Sequence, residues 1–128
     1  MKVLLDTHLL LWASHDSRRL SPKAKTLIND TKNQLYFSVA SIWEVAIKHS
    51  LGRAQFAFDP RLLRRALIDH HYEELDITGS HALEIANLPF HHRDPFDRIL
   101  IAQATVEGIT LLTSDPLIAQ YRGPIKYA

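Results

Sequence analysis

The 128-residue chain has no cysteine and no long hydrophobic run. The lack of cysteine excludes a disulfide framework, a thiolate zinc site and a cysteine nucleophile, and it is compatible with the cytoplasm. A helix that spans a bilayer needs about 20 consecutive apolar residues, so we expect no membrane partner. The apolar start MKVLL is interrupted by Asp6 and His8, which is too early for the core of a signal peptide. We therefore expect a soluble, cytoplasmic protein.

The chain also lacks an excess of either charge. Its 15 lysines and arginines face 14 acidic residues, for a formal net charge of +1. Net charge therefore neither favours nor excludes a nucleic-acid partner, and the positions of the charges decide. No repeat, low-complexity tract or linker divides the sequence, since its glycines and prolines are scattered. A chain of this size buries roughly 65% of its unfolded surface, so we expect a single domain over residues 1–128.

Short apolar segments alternate with helical patterns along the chain. Three segments read as buried parallel strands and two more as weaker strand candidates: KVLLD (2–6), QLYFS (34–38), ITLLTSD (109–115), ELDIT (74–78) and PIKYA (124–128). The helical patterns between them start at polar residues that favour helix caps: Ser21, Asp59, Thr78 or Ser80, and Asp94. Gly108 is positioned to end the helix that Asp94 opens. This order predicts an α/β fold, a mostly parallel open sheet of about five strands with helices on both faces.

Four acidic residues are predicted to meet at one edge of this sheet. Asp6 ends the first strand, and Asp115 follows the strand ITLLT by one residue. Glu44 lies in the second turn of a helix that directly follows QLYFS, and Asp97 lies in the first turn of the helix that starts at Asp94. In an open parallel sheet, the carboxyl ends of the strands and the N-termini of the helices share one edge, where ligands bind.

Each acid also has a structural explanation when it is taken alone. Asp94, Asp6 and Asp115 suit helix caps, and Asp97 complements the dipole of its helix. Glu44 has Lys48 four residues on, a spacing that favours an ion pair on the helix surface. Its neighbours are apolar, however, which indicates a buried helix in which a carboxylate needs a partner.

As a group, the four acids indicate a metal site. Carboxylates gathered at one edge repel one another, and a hard divalent cation such as Mg²⁺ or Mn²⁺ offsets that repulsion. Such an ion can activate water for attack on a phosphodiester, without a side-chain nucleophile. Thr113 and Ser114 could hydrogen-bond a phosphate or a metal-bound water, or cap the helix that begins near Pro116.

The ordered segments LLDTHLLLW, SVASIWEVAIKHSLGR, RDPFDRILIAQA and ITLLTSD resemble the motif series of PIN-domain proteins of the VapC toxin type. The resemblance covers essentially the whole chain. It implies an Mg²⁺- or Mn²⁺-dependent ribonuclease whose catalytic, metal-binding acids are Asp6, Glu44, Asp97 and Asp115. It also matches Thr113 to the polar residue before the last acid. Asp94 belongs to the DPFDR form of the motif, as a helix cap that supports the metal site.

The same resemblance implies partners. VapC-type toxins are neutralised by a small VapB-like antitoxin whose C-terminal segment lies in a groove near the acids, and they commonly form homodimers. The segment LLLWA (9–13) is apolar around much of a short helix, which suits either a dimer interface or the core.

Positive side chains near the predicted edge could hold the RNA backbone. Lys48, Arg53, Arg93 and Arg98 are placed to contact phosphates, although Lys48 and Arg98 could instead pair with Glu44 and Asp97. The histidines at 70, 71, 91 and 92 include no helical i,i+4 pair, so a zinc site is not favoured.

Three other classes of protein compete with a nuclease. A catalytically silent RNA- or protein-binding module could use the same scaffold, and the complete set of acids argues against it. A phosphoacceptor receiver domain needs paired acids after the first strand, where this chain has only Asp6, followed by Thr7 and His8. A His-Asp phosphohydrolase, suggested by His15 and Asp16, needs a mainly helical domain and does not fit the strands.

Overall fold

The computed structural model describes all residues from 1 to 128 and contains one five-stranded sheet. The strands are β1 (Lys2–Leu5), β2 (Gln34–Ser38), β3 (Glu73–Leu75), β4 (Thr110–Thr113) and β5 (Ile125–Tyr127). Their order across the sheet is β3-β2-β1-β4-β5, and every neighbouring pair is parallel. The predicted sheet is confirmed. Strand β3 is shorter than its predicted range because Thr78, assigned to that strand from the sequence, instead caps the next helix.

Seven α-helices surround the sheet, and each follows a polar cap. They are α1 (Thr7–His15), α2 (Pro22–Asn29), α3 (Val39–Ser50), α4 (Pro60–Asp69), α5 (Gly79–Glu84), α6 (Pro95–Glu107) and α7 (Pro116–Ala119). In every case the side-chain oxygen of the preceding residue accepts a backbone N–H of the first turn, and these caps are Asp6, Ser21, Ser38, Asp59, Thr78, Asp94 and Asp115. Such a cap stabilises a helix by about 1 kcal/mol. Gly108, at φ +68°, ends α6 in the left-handed conformation that glycine tolerates best.

Two apolar clusters cover the two faces of the sheet. Successive side chains of a strand point to opposite faces, and accordingly Val3 and Leu5 lie in one cluster and Leu4 in the other. The first cluster draws its helical residues from α1 to α4, and the second mainly from α6 and α7. The predicted helices on both faces are confirmed.

The apolar segment LLLWA belongs to the core. Leu9, Leu10 and Leu11 are at most 4% exposed, and Trp12 and Ala13 pack against the same cluster. The core explanation of this segment therefore holds, and it offers no apolar surplus for a dimer interface. None of the helices has both the length and the apolar character that a bilayer crossing requires.

The register of β1 and β4 sets up the functional edge. Leu5 is paired with Leu112, and the backbone N–H of Asp6 donates to the carbonyl of Leu112. The residues that follow this pair, Asp6 and Thr113, therefore lie side by side where β1 and β4 end.

Candidate active site

Asp6 and Thr113 form a buried pair where β1 and β4 end. The Thr113 hydroxyl donates to Asp6 Oδ2 over 2.6 Å, and the Leu9 N–H donates to Asp6 Oδ1 over 2.9 Å. Thr113 Oγ1 also accepts the backbone N–H of Asp115 over 3.0 Å. One hydroxyl therefore holds two of the predicted acids in place, and Asp115 in turn caps α7 through the N–H of Leu117.

Burial raises the pKa of Asp6 above its ordinary value of 3.8. The hydrogen bonds from Thr113 and Leu9 oppose this rise, and the negative charge of nearby Asp115 adds to it. Burial penalises the charged form of a carboxyl, and a hydrogen-bond donor favours that form. Because the effect of burial is the larger, the ionised form of Asp6 is destabilised in this structure. A nearby cation would stabilise that form.

Glu44 projects from the buried face of α3. It is 2% exposed, and its Oε2 accepts a hydrogen bond from Lys48 Nζ over 2.5 Å. Its Oε1 is buried without a hydrogen-bond partner. A buried acceptor without a partner costs about 1–3 kcal/mol, and more for a charged group. The ion pair with Lys48 that the sequence suggested is present, but it satisfies only half of the carboxylate.

Asp97 lies in the first turn of α6 among other charged groups. His92 Nε2 is 2.7 Å from Asp97 Oδ2. Burial, together with the negative charges of Asp94 and Glu44, raises the pKa of Asp97 to about 7, while the hydrogen bond with His92 acts against the rise. The same His92 Nε2 is 3.7 Å from Asp115 Oδ2. Asp97 is therefore linked to Glu44 by charge and to Asp115 through one imidazole.

The predicted acids share one edge but do not form a single tight set. Charge interactions join Asp6 to Asp115 and Asp97 to Glu44. Only one group of three metal-ligating side chains has ligand atoms that all lie within 4.8 Å of one another. It consists of His92, Asp94 and Asp97. The structure therefore supports the predicted edge, and it adds a histidine that the sequence reasoning did not select.

Asp94 caps helix α6 and also belongs to the group of potential metal ligands. Its Oδ1 accepts the backbone N–H of Phe96 over 2.9 Å and of Asp97 over 3.3 Å, as a cap does. A carboxylate has a second oxygen, and Asp94 also belongs to the close group with His92 and Asp97. The cap that the sequence indicated is present, and it lies at the site itself.

Arg98 was predicted to contact an RNA phosphate or to pair with Asp97, and the structure places its side chain elsewhere. The residue is 6% exposed, and its guanidinium donates to the carbonyls of Pro89, Ile85 and Leu88 and to the hydroxyl of Tyr121. It makes no ion pair with Asp97, and its donors are turned into the loop before α6. Arg98 therefore organises that loop and does not present its charge to RNA.

The other predicted contacts divide between structure and surface. Lys48 is taken up by Glu44 and also lies over the ring of Phe56. Ser114 is partly buried and makes no side-chain hydrogen bond, while Arg53 and Arg93 are exposed. Arg53 and Arg93 are therefore the cations that remain free to meet a phosphate.

His92 could not be found by a helical metal motif because it lies in the irregular loop between Leu88 and Pro95. A usable signal was nevertheless present. His92 stands two residues before the cap Asp94, and a residue just before a helix N-terminus lies at the same edge as that terminus.

The donor set fits a divalent metal ion. Carboxylate oxygens dominate, which suits Mg²⁺ or Mn²⁺. The unpartnered Oε1 of Glu44 is the clearest sign, because a cation would satisfy an oxygen that no protein donor reaches. The raised pKa of Asp6 and of Asp97 agrees, since burial outweighs the hydrogen bonds and the histidine charges that would lower the pKa of each carboxyl.

Comparison with known proteins defines the class of this fold and site. The sequence model of the PIN domain matches residues 3–124. The chain therefore belongs to the PIN domain family. It is 32% identical to Ribonuclease VapC22 of Mycobacterium tuberculosis over 123 aligned residues. The alignment covers 95% of this chain and 93% of that protein.

Solved structures agree on the fold. The chain is similar to a chain of VapBC2 from Rickettsia felis, bound to a DNA fragment from the promoter, with a TM-score of 0.67 and 14% identity over 90% of this chain and 88% of that one. It is also similar to a chain of DNA-bound VapBC from Salmonella typhimurium, with a TM-score of 0.66 and 13% identity over 100% and 97% of the two chains. At these identities the likeness concerns the fold alone.

Proposed function

We propose that this chain is a divalent-metal-dependent endoribonuclease and the toxin of a type II toxin–antitoxin pair. The observation that carries the proposal is the convergence of four acids on one sheet edge, in a chain that aligns over nearly its whole length with a protein named as a ribonuclease. Asp6, Glu44, Asp97 and Asp115 are the proposed catalytic and metal-binding residues. A cytoplasmic location follows from this function.

Mg²⁺ or Mn²⁺ is the proposed ion. When bound, it would supply an activated water and stabilise charge on the phosphodiester oxygens. The protein contributes the positions of the acids. Thr113 fixes Asp6 and Asp115 relative to each other, and Lys48 holds one oxygen of Glu44 while the other has no protein partner. Ser114 remains a proposed contact to a phosphate or to a metal-bound water.

Recognition of RNA would involve its backbone and its bases separately. Arg93 is exposed one residue before the cap Asp94, where it can meet a phosphate. Trp43 and Phe96 lie edge to face with ring centroids 5.1 Å apart, directly beside Glu44 and Asp97 in the sequence. Aromatic rings next to a phosphate-binding edge suit the stacking of unpaired bases. Such contacts hold RNA without strong sequence preference.

A small VapB-like antitoxin is the proposed protein partner, because the solved relatives are VapBC assemblies. A groove of about 470 Å³ supports this proposal, since Trp43, Phe90, Phe96 and Arg93 line it and Trp43 and Phe96 directly precede Glu44 and Asp97 in the sequence. Phe90 is 86% exposed, which is unusual for a side chain that no partner covers. We propose that an apolar segment of the antitoxin lies in this groove. A homodimer, as in the family, stays a prediction.

Cleavage of a mixed RNA pool tests the enzymatic proposal. The purified chain is incubated with Mg²⁺ or Mn²⁺, beside Asp6→Asn and Asp97→Asn, and cut ends are counted. We expect metal-dependent cleavage that both substitutions reduce by at least a hundredfold, since a water-activating metal and its ligands act as a unit. Asp69→Asn is the matched control, because Asp69 is exposed at the end of α4 and makes no contact with the site.

A catalytically silent binding module is the alternative function. It predicts RNA or protein binding without metal-dependent cleavage by any version of the chain. If wild type and both asparagine variants cut equally well, the activity belongs to a contaminant or to another site, and the proposal fails.

A further inference from the structure

One imidazole lies between carboxylates from two separate elements of the site. His92 Nε2 is 2.7 Å from Oδ2 of Asp97, in α6, and 3.7 Å from Oδ2 of Asp115, after β4. An oxygen of Asp94 lies within 4.8 Å of the ligand atoms of both His92 and Asp97. The side chain of His92 is 14% exposed, so it is held largely inside the protein rather than on the surface.

Buried side chains hold the backbone of His92 in this position. Its N–H donates to the hydroxyl of Tyr121 over 3.0 Å, and its carbonyl accepts from the same hydroxyl over 3.3 Å. Arg98 donates to that hydroxyl over 3.0 Å and to the carbonyl of Pro89 over 2.9 Å. Tyr121 and Arg98 are 4% and 6% exposed. The polar groups of these two buried residues therefore hold the loop that carries the imidazole in place by hydrogen bonds.

We propose that His92 is a direct nitrogen ligand of the ion, together with Asp94 and Asp97, an inference that rests on the proposed metal-dependent function. As a nitrogen ligand, His92 makes the site prefer Mn²⁺ over Mg²⁺. Three potential ligand atoms within 4.8 Å can close on one ion with small rotations of the side chains. The unpartnered, buried Oε1 of Glu44 is an independent sign of a cation here, because α3 and α6 meet beside Glu44 and Asp97, where the ring centroids of Trp43 and Phe96 are 5.1 Å apart.

Ligand chemistry gives the preference. Mg²⁺ is hard, favours oxygen and keeps several waters in near-ideal octahedral geometry. Imidazole suits transition metals, and first-row ions bind mixed nitrogen and oxygen sites with affinities that begin at Mn²⁺ and rise towards Cu²⁺. A site made only of carboxylates would distinguish Mg²⁺ and Mn²⁺ weakly. One imidazole shifts it towards Mn²⁺.

Metal binding without RNA tests this inference. Dissociation constants of Mn²⁺ and Mg²⁺ are measured by titration calorimetry on the full chain, on His92→Gln and on His91→Gln. We expect His92→Gln to weaken Mn²⁺ binding by about tenfold or more, because even indirect partners of a metal site are worth 10–100-fold in affinity. The Mg²⁺ constant should change less. His91 is the matched control, since it is exposed and packs against the ring of Tyr121.

Electron spin echo envelope modulation of bound Mn²⁺ gives a direct readout. The wild-type and His91→Gln proteins should show the ¹⁴N coupling of a coordinated imidazole, and His92→Gln should lose it. Absence of that coupling in the wild type, or an unchanged Mn²⁺ constant in His92→Gln, overturns the inference and leaves His92 as a hydrogen-bond partner of Asp97. In that case RNA cleavage that still depends on Asp6 and Asp97 would leave the proposed function intact, so the two failures are distinct.

Discussion

The hydroxyl of Thr113 donates a 2.6 Å hydrogen bond to Oδ2 of Asp6, across 107 positions of the chain. The parallel register of β1 and β4 produces this contact, because Leu5 and Leu112 are paired immediately before the two residues. The same oxygen of Thr113 accepts the N–H of Asp115. Strand pairing, helix capping and the placement of two acids therefore depend on a single side chain that is fully buried.

Replacing Thr113 with valine should destabilise the protein. Valine has nearly the same shape but no hydroxyl, so a buried Asp6 oxygen and the Asp115 N–H would both lose a partner. Leaving a buried polar group unsatisfied costs about 1–3 kcal/mol. Urea unfolding of Thr113→Val should show a loss of this order, and RNA cleavage should fall as Asp6 moves. Thr113→Ser keeps the hydroxyl and is the control. Equal stability of wild type and Thr113→Val would contradict this account.

The raised pKa of Asp97 predicts a pH-dependent stability in a buffer with a metal chelator. In the folded protein Asp97 keeps its proton up to a pH of about 7, against an ordinary pKa of 3.8. Between these values the folded form binds more protons than the unfolded form, so the free energy of unfolding falls as pH rises through that window. The slope is at most about 1.4 kcal/mol per pH unit for one group.

Asp97→Asn should reduce that slope, because asparagine does not titrate, and the raised pKa of Asp6 leaves a smaller slope of the same sign. The variant should match wild type near pH 4 and be more stable than wild type near pH 8, in urea titrations at each pH. Asp69→Asn, at an exposed position, should keep the wild-type slope. An Asp97→Asn protein whose stability falls with pH as steeply as that of wild type would show that another group titrates.

The fold was predictable because its signals are local. Short apolar segments mark the strands, and residues such as Asp94 and Gly108 mark where a helix begins and ends. The edge that carries the acids was predictable because parallel topology places strand ends and helix starts together. The partners of His92 and Arg98 were not, since the loop before α6 has no periodicity and Tyr121 joins it from beyond β4. Such contacts appear only when distant segments are folded against each other.

Added metal should stabilise the wild-type protein more than it stabilises Glu44→Gln. An ion that binds only the folded form raises stability with the logarithm of its concentration. The buried Oε1 of Glu44 has no protein partner, so the ion should draw part of its binding from that oxygen. In thermal unfolding scans, Mn²⁺ should raise the Tm of wild type and of Glu73→Gln, whose glutamate is exposed on β3. A similar rise in Glu44→Gln would place the ion away from Glu44.

Tyr121→Phe should release the loop that carries His92 without unfolding the protein. The substitution removes the hydroxyl that accepts the His92 N–H and a guanidinium N–H of Arg98. The Arg98 donor is buried and the His92 N–H is partly buried, so we expect a loss of about 1–3 kcal/mol. Hydrogen exchange should accelerate at the amide of His92 more than at amides of the central strand β1, because the loop opens locally. Tyr127→Phe, on the edge strand β5 and 52% exposed, should leave exchange at His92 unchanged. Equal protection of the His92 amide in wild type and Tyr121→Phe would mean that Arg98 alone is enough to hold the loop.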